Sequence, residues 1–178
     1  SAPNRYGVRF VFCGGEEEDL YGSKNYLKAH EDEIEKMVLN INVDMIGQTM
    51  GRFDACCTAE EKLGHYLEYL GLETGWGMKV YDDVYSSDST PFADKGIPAL
   101  SFARMCQGQY ASFHNCYDTE KILSAEQILE DVGFITFFTD RMANAVKCPV
   151  GRKIPKKLKK KIDVYLERVR EEDAEDED

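Results

Sequence analysis

The sequence lacks the features that several large classes of protein require. No apolar run approaches the roughly 18 residues of a membrane-spanning helix. No C-x-x-C pair is present, which excludes zinc ribbons and thioredoxin-like redox motifs. The patterns H-E-x-x-H, G-x-S-x-G and G-x-x-x-x-G-K-[ST] are also missing, so a helix-borne zinc site, a serine nucleophile elbow and a P-loop are not indicated. Only three histidines occur, which leaves few candidates for an imidazole ligand or base.

Basic residues are also in short supply. The 178 residues include 22 Lys and Arg against 33 Asp and Glu, which gives a net charge of −11. Affinity for nucleic acid comes mainly from clustered Lys and Arg, so this balance argues against a general nucleic-acid binder. The length and the 43% apolar content are sufficient for one compact domain with a hydrophobic core.

The character of the chain changes at Gly151. Seven basic residues lie between Arg152 and Lys161, apolar residues then follow at helical spacing, and seven carboxylates fill positions 171–178. We interpret residues 151–178 as a charged C-terminal helix with an acidic tail, separate from a domain over residues 1–150. A basic patch for nucleic acid or anionic lipid is the alternative, but no aromatic or glycine pattern of a nucleic-acid module accompanies it.

The six cysteines and the first residues bear on compartment. Cys56 and Cys57 are adjacent, and a chain of this length does not need a disulfide scaffold. We therefore expect reduced, mostly buried thiols, which favours a cytoplasmic location and leaves a secreted one open. The chain begins without Met or a signal peptide and enters an apolar strand within a few residues, so we expect it to be cut from a longer protein.

Strand and helix signals alternate along the chain. Strands that alternate with helices favour an α/β layered domain with a largely parallel sheet. Two capping boxes, at Thr58 and Ser124, predict helix starts, and Gly71 is expected to end the first of these helices. The predicted strands cover residues 7–13, 38–43, 78–81 and 97–102, and the predicted helices cover 20–37, 58–70 and 124–146. A polar turn at 87–91 is expected to lead into a short helix that has Pro91 in its first turn and runs through Asp94.

Residues that can carry chemistry follow the predicted strands. Glu16, Glu17 and Glu18 come directly after the first strand, Asp44 ends the second, and His114 lies in a loop after the strand at 97–102. Adjacent carboxylates repel one another unless a cation or water screens them. Carboxylates and an imidazole from strand ends form a ligand set suited to Zn²⁺. A solvated charge run is the alternative interpretation of the glutamates.

These segments resemble the M28 family of co-catalytic zinc aminopeptidases. V-F-C-G-G-E-E-E-D-L-Y-G-S at 11–23 is similar to the Glu-Glu signature of the family, and N-V-D-M-I-G at 42–47 to its next block. S-D-S-T-P-F with G-I-P-A at 87–99 resembles its S-D-x-x-x-F…G-I-P-A segment, and His114 with Asp118-Thr119 resembles its final histidine block. Four blocks in the order of the family make the resemblance specific.

The resemblance implies a fold, an activity and roles for four residues. The fold is a three-layer α/β sandwich with a mixed, mostly parallel sheet, and residues 1–150 form part of a zinc-peptidase catalytic domain. The activity is hydrolysis of N-terminal residues from peptides by a zinc-activated water, with two zinc ions in the intact enzyme. Glu16 corresponds to the general base and acid. Glu17 and His114 correspond to ligands of one zinc, and Asp44 to a ligand of the other.

Part of the family's site has no counterpart here. The family carries an H-x-D motif and a metal-bridging Asp upstream of the Glu pair, whereas the fifteen residues before Glu16 contain neither His nor Asp. The chain therefore supplies three of the five ligands that the resemblance implies. We expect an upstream segment of the same domain to supply the others; the alternatives are a second chain that carries them or a degenerate relative that lost them. We expect the 178 residues alone to bind zinc weakly and hydrolyse peptide poorly.

Further positions have two interpretations each. Asp88 either orients the substrate or caps a short helix, and Phe92 either lines a specificity pocket or packs in the core. Phe113 stands where some relatives carry a tyrosine that donates to the oxyanion. Three tyrosines could replace it: Tyr85, Tyr110 and Tyr117.

Two other functions compete with the aminopeptidase. A one-zinc relative on the same fold, such as a glutaminyl-cyclase-like transferase, is distinguished by its zinc content. A non-catalytic binding module would have no physical reason to keep the carboxylate cluster at Glu16, Glu17 and Asp44 together with His114. Besides the peptide substrate, no nucleic-acid or membrane partner is expected, and the oligomeric state is not predicted.

Overall fold

The structure is a computed structural model that describes residues 3–105 and 114–170. Helices and strands alternate over most of this part of the chain. The helices are α1 (Tyr21–Ala29), α2 (Lys62–Thr74), α3 (Ser89–Asp94), α4 (Ala125–Asn144) and α5 (Lys156–Tyr165), with 3₁₀ turns at Glu31–Lys36 and Glu120–Ile122. The strands are β1 (Asn40–Val43), β2 (Arg52–Thr58), β3 (Met78–Asp82) and β4 (Ala99–Met105).

The four strands form one mixed sheet in the order β1-β4-β2-β3. The pairs β1–β4 and β2–β3 are parallel, and the central pair β2–β4 is antiparallel, with Arg52 opposite Met105. The carboxyl ends of β1 and β4 therefore lie at the same edge of the sheet. This edge carries Asp44, directly after β1.

Alternate residues of β4 face opposite layers of helices. Leu100 and Phe102 join a core with α2 and α4, in which Phe102 stacks edge-to-face on Phe134 and Phe138. Ala99 on the other face packs with residues of α3 and α5, including Ile162. Because residues of a strand point alternately to the two faces of a sheet, the result is a three-layer α/β sandwich. The predicted fold class is confirmed.

The first predicted strand is wrong. Residues 7–13 run outside the sheet, and Phe10 and Phe12 are 82% and 95% exposed. The first half of the segment is held in place: the Tyr6 amide, just before it, donates to the Ala143 carbonyl, and the Arg9 guanidinium donates to Glu33. No backbone hydrogen bond joins residues 7–13 to another described residue. A run with strand composition becomes a strand only where another strand accepts its hydrogen bonds.

Several predicted element boundaries also change. Thr58 is the last residue of β2, and its hydroxyl donates to the Asp83 carbonyl, so no capping box forms there and α2 begins at Lys62. That helix passes Gly71 and ends at Gly75, whose left-handed conformation closes it. The helix predicted over 20–37 is divided: α1 ends at Ala29, and the 3₁₀ turn at Glu31–Lys36 follows it. The second capping signal is confirmed, because the Ser124 hydroxyl accepts the Gln127 amide.

The basic C-terminal segment folds back on the sandwich. Leu158 and Ile162 of α5 are buried with Ala93 of α3 and Ala99 of β4. The polar side of α5 is fixed by the Lys161 ammonium, which donates to Asp83, while the Arg168 guanidinium beyond the helix pairs with Asp94 through two nitrogens. The proposed division of the chain at residue 150 stays a prediction. Within the described ranges, no helix combines the length and apolarity needed to cross a membrane.

Candidate active site

The four residues that the sequence marks for chemistry border one open cleft. The cleft has a volume of about 840 Å³, and Glu16, Glu17, Asp44 and His114 all line it. They come from three separate stretches of the chain, namely the turn before α1, the end of β1 and the loop after β4. The fold therefore gathers side chains that lie up to a hundred residues apart in the sequence.

The two glutamates lie on a tight turn that joins residues 7–13 to α1. The amides of Glu18 and Tyr21 both donate to the Gly15 carbonyl, and the Leu20 amide donates to the Glu16 carbonyl. The buried Leu20 side chain anchors the turn in the protein. A Cβ at Gly22 would meet the Gly14 backbone at 2.7 Å, so glycine is required for α1 to approach the turn this closely.

Asp44 continues the line of β1. Its amide donates to the Phe102 carbonyl at 3.1 Å, which extends the pairing of β1 with β4 by one residue. The next residue, Met45, adopts a left-handed backbone conformation with φ of 60°. The chain thus turns away from the sheet directly after Asp44 and leaves its side chain at the cleft.

His114 makes direct contact with the glutamate that the sequence pairs with it. Its Nε2 atom lies 2.9 Å from Oε1 of Glu17, and the two side chains are 72% and 66% exposed to the cleft. The His114 backbone has φ of 57°, a conformation that is uncommon for residues other than glycine. Phe113 and Tyr110 lie outside the described residues. Of the other two tyrosines considered, Tyr85 lines the cleft and Tyr117 is exposed.

Burial and neighbouring negative charges raise the pKa values of Glu16 and Asp44. Partial burial raises the pKa of Glu16, and the negative charges of Glu17, Asp44 and Asp88 raise it further, against a smaller opposite effect of His114. Burial also raises the pKa of Asp44, partly offset by a hydrogen bond from Ser87. Charges that destabilise one another in this way are stabilised by a bound cation or by protonation.

The donor set matches zinc in kind. Carboxylate oxygens and an imidazole nitrogen are ordinary zinc ligands, and the Glu17–His114 contact shows that both donors can reach a common point. Glu17 and His114 are therefore fit to hold one ion together, and Asp44 lines the same cleft from the end of β1. Within residues 3–105 and 114–170, however, no three His, Cys, Asp or Glu side chains are already close enough together to form a metal centre.

The two residues with alternative interpretations occupy different surroundings. Asp88 precedes α3 but makes no side-chain capping bond, and its buried Oδ1 has no hydrogen-bond partner among the described residues. It lies close enough to Glu16 and Asp44 to raise their pKa values. Phe92 is buried and packs against Leu27 and Tyr26, away from the cleft.

The C-terminal segment contributes to the cleft in a way that the sequence does not indicate. Tyr165, Leu166 and Glu167, at the end of α5, line the same cavity as the glutamates. The Arg168–Asp94 pair fixes this end of the helix beside the site. No motif signals this role, because it follows from where α5 packs. The apolar spacing of α5 predicted the helix and could not indicate which surface it covers.

Comparison with known proteins gives a consistent set of relatives. The model of Peptidase family M28 matches residues 1–131. Aminopeptidase YwaD of Bacillus subtilis (strain 168) is 29% identical over 119 residues, which cover 57% of this chain and 24% of YwaD. The structure of an aminopeptidase from Aneurinibacillus sp. strain AM-1 matches with a TM-score of 0.58 and 24% identity over 72% of this chain and 32% of its own.

A second solved structure supports the fold. BSAP, a zinc aminopeptidase from Bacillus subtilis, matches with a TM-score of 0.57 and 18% identity over 76% of this chain and 36% of its own. At these identities the two structural matches establish the α/β sandwich. The chain spans about a quarter to a third of the length of these relatives.

Proposed function

Since this chain belongs to peptidase family M28, we propose that it carries the catalytic carboxylate and part of the zinc site of an aminopeptidase. The observation that supports the proposal is the meeting of Glu16, Glu17, Asp44 and His114 around one cleft. Names given to relatives point the same way: YwaD is an aminopeptidase and BSAP a zinc aminopeptidase.

Each of the four residues receives one role. Glu17 and His114, already in contact, would hold one zinc ion, and Asp44 would hold a second. Bound zinc would lower the pKa of a coordinated water and polarise the scissile carbonyl. Glu16 accepts the proton of the attacking water on its carboxylate and returns it to the leaving amine.

The substrate enters an acidic cleft. Asp19 and Glu167 add carboxylates to its walls, while Lys24 is held by Asp19 at 2.6 Å. The free α-amine of a peptide is positively charged and is attracted by such a surface, and the acidic walls repel a substrate carboxylate. This arrangement suits an enzyme that acts at the amino end of peptides.

The first experiment measures zinc binding by the chain itself. Glu17→Ala and His114→Ala each remove one ligand of the same ion and are expected to lower the zinc content and affinity. Glu16→Gln is the matched control, because it changes the adjacent glutamate by a single atom and leaves the ligands intact. Equal zinc binding by Glu17→Ala, His114→Ala and the unchanged chain would contradict the proposal.

The second experiment assigns the base. In the protein expressed from its complete reading frame, Glu16→Gln is expected to lower kcat for an aminoacyl p-nitroanilide by about 10²–10⁴-fold, the usual contribution of a general base. The zinc content should not change. Hydrolysis near the wild-type rate would show that another residue is the base. One zinc per protein, with cyclisation of amino-terminal glutamine instead of hydrolysis, would favour the transferase.

A further inference from the structure

An ion pair between Arg104 and Asp131 is buried beside the candidate site. Arg104 is in β4 and Asp131 is in α4, and their side chains are 11% and 0% exposed. The Arg104 Nε atom lies 3.1 and 3.0 Å from the two Asp131 oxygens, and Nη2 lies 2.5 Å from Oδ1. Burying two charges is costly even when they are paired, and apolar residues would fill such a position at less cost.

Both members of the pair also bind the loop at residues 44–51. Asp131 Oδ2 accepts the Gly47 amide at 2.9 Å, and Arg104 Nη1 donates to the Gly51 carbonyl at 2.9 Å. The Arg104 amide donates to the Met45 carbonyl. The loop is thus attached at three points to two residues whose side chains also bind each other, twice through these side chains and once through the Arg104 amide.

The loop needs such attachment because of its backbone conformation. Met45 and Gly47 have φ values of 60° and 80°, and the left-handed region is unfavourable for a methionine. A strained residue of this kind persists only where the surrounding structure fixes it. The loop also packs tightly on α4: a Cβ at Gly47 would come within 2.1 Å of the Ile128 side chain.

We propose that Asp131 and Arg104 are positioning residues that hold the loop at 44–51 and thereby orient Asp44 toward the cleft. The inference rests on the proposed function, because it assumes that Asp44 is a zinc ligand. Neither side chain lines the cleft. They act through backbone hydrogen bonds, and the covalent distance from Gly47 to Asp44 is only three residues.

The first test follows backbone amide hydrogen exchange in the chain without metal. Asp131→Ala removes the acceptor of the Gly47 amide, and we expect the Gly47 and Asp44 amides to exchange about tenfold faster than global unfolding explains. Met142→Ala is the matched control. It opens a cavity in the same helix about 16 Å from Asp131, at 1.5 Å per residue, and reaches the loop only through global stability.

A double variant guards against misfolding. Asp131→Ala leaves the Arg104 charge buried without its partner, which can prevent folding. Asp131→Asn with Arg104→Gln removes both charges and keeps an oxygen that can accept the Gly47 amide. This variant should fold, and its Gly47 amide should exchange more slowly than in Asp131→Ala. The amides on the Gly51 side of its loop should still exchange faster than in Met142→Ala.

The second test measures zinc affinity by competition with a chromogenic chelator. Groups that orient a metal ligand typically change affinity by about 10–100-fold, and we expect a loss of this size for Asp131→Ala and none for Met142→Ala. If both variants keep wild-type affinity and the same loop exchange, the positioning role is wrong. If Asp44→Asn also leaves zinc binding unchanged, the proposed ligand role fails, and the exchange data alone then decide whether the pair positions the loop.

Discussion

Replacement of Ile162 by alanine tests whether the C-terminal helix is part of the same cooperative unit as the sheet. Ile162 is almost fully buried between α5, α3 and β4, with Ala93, Ala99 and Leu158 around it. The change removes three carbons, each worth about 0.8 kcal/mol when buried, and leaves a cavity that adds to the loss. We expect the free energy of unfolding to fall by about 3 kcal/mol. The ion pairs of Lys161 and Arg168 with Asp83 and Asp94 are partly exposed and cannot replace this contact, since such pairs contribute about 0–1 kcal/mol.

The assay is thermal unfolding followed by near- and far-UV circular dichroism. For a chain of this size, a loss of about 3 kcal/mol lowers Tm by about 6–12 °C in a single transition. Lys159→Ala is the control, because it shortens an exposed side chain in the same helix and should change stability by no more than about 0.5 kcal/mol. If Ile162→Ala has the same Tm as Lys159→Ala, or loses only a little helix before the main transition, α5 unfolds independently of the sheet. Residues 151–178 would then form the separate unit that the sequence predicts.

Three further predictions address charge, thiols and the exposed segment. The hydrogen bond from Arg168 lowers the pKa of Asp94, so the pair stabilises the fold above the unfolded-state value of about 4 and loses this contribution as the pH falls through the lower folded value. Urea unfolding across an acid pH series should show a flatter profile for Asp94→Asn, and an unchanged slope would exclude the pair as its source. Burial raises the pKa of Cys56 to about 12, so mass mapping at pH 8 should find Cys116 alkylated well before Cys56; similar rates would place β2 outside the core. Phe12→Ser should change stability by no more than about 0.5 kcal/mol and reduce light scattering on heating, because the ring is 95% exposed; a large loss of stability would mean that the segment packs.

Positions defined by local chemistry were predictable from the sequence. The order and spacing of the four M28-like blocks placed Glu16, Glu17, Asp44 and His114 at chain turns, and the structure brings them to one cleft. Strands β1, β3 and β4 follow from their apolar runs, and the Ser124 cap follows from a bond over three residues. The roles of Glu17, Asp44 and His114 as zinc ligands stay a prediction.

Features that depend on distant partners were not predictable. The segment at 7–13 has strand composition, but its state depends on whether another strand lies beside it. Thr58 has the sequence of a helix cap, yet the carbonyl of Asp83, 25 residues away, takes its hydroxyl. The strand at Arg52–Thr58 was missed because its alternate residues are polar or small. Nothing in the sequence distinguishes Asp131 from the other acids of α4, because its burial depends on Arg104 of a distant strand.

The pairing of β1 with β4 has a consequence for how the site forms during folding. The paired residues Asn42 and Ser101 lie 59 positions apart, whereas Phe53 and Met78 of the pair β2–β3 lie 25 apart, so closing β1–β4 costs about 0.8 kcal/mol more loop-closure entropy. We expect β2, β3 and α2 to fold first, and β1 to dock only after β4 is in place. Asp44 follows β1 directly and therefore reaches the cleft in the last steps. The mutually repelling carboxylates are assembled only when the rest of the sandwich is present to hold them.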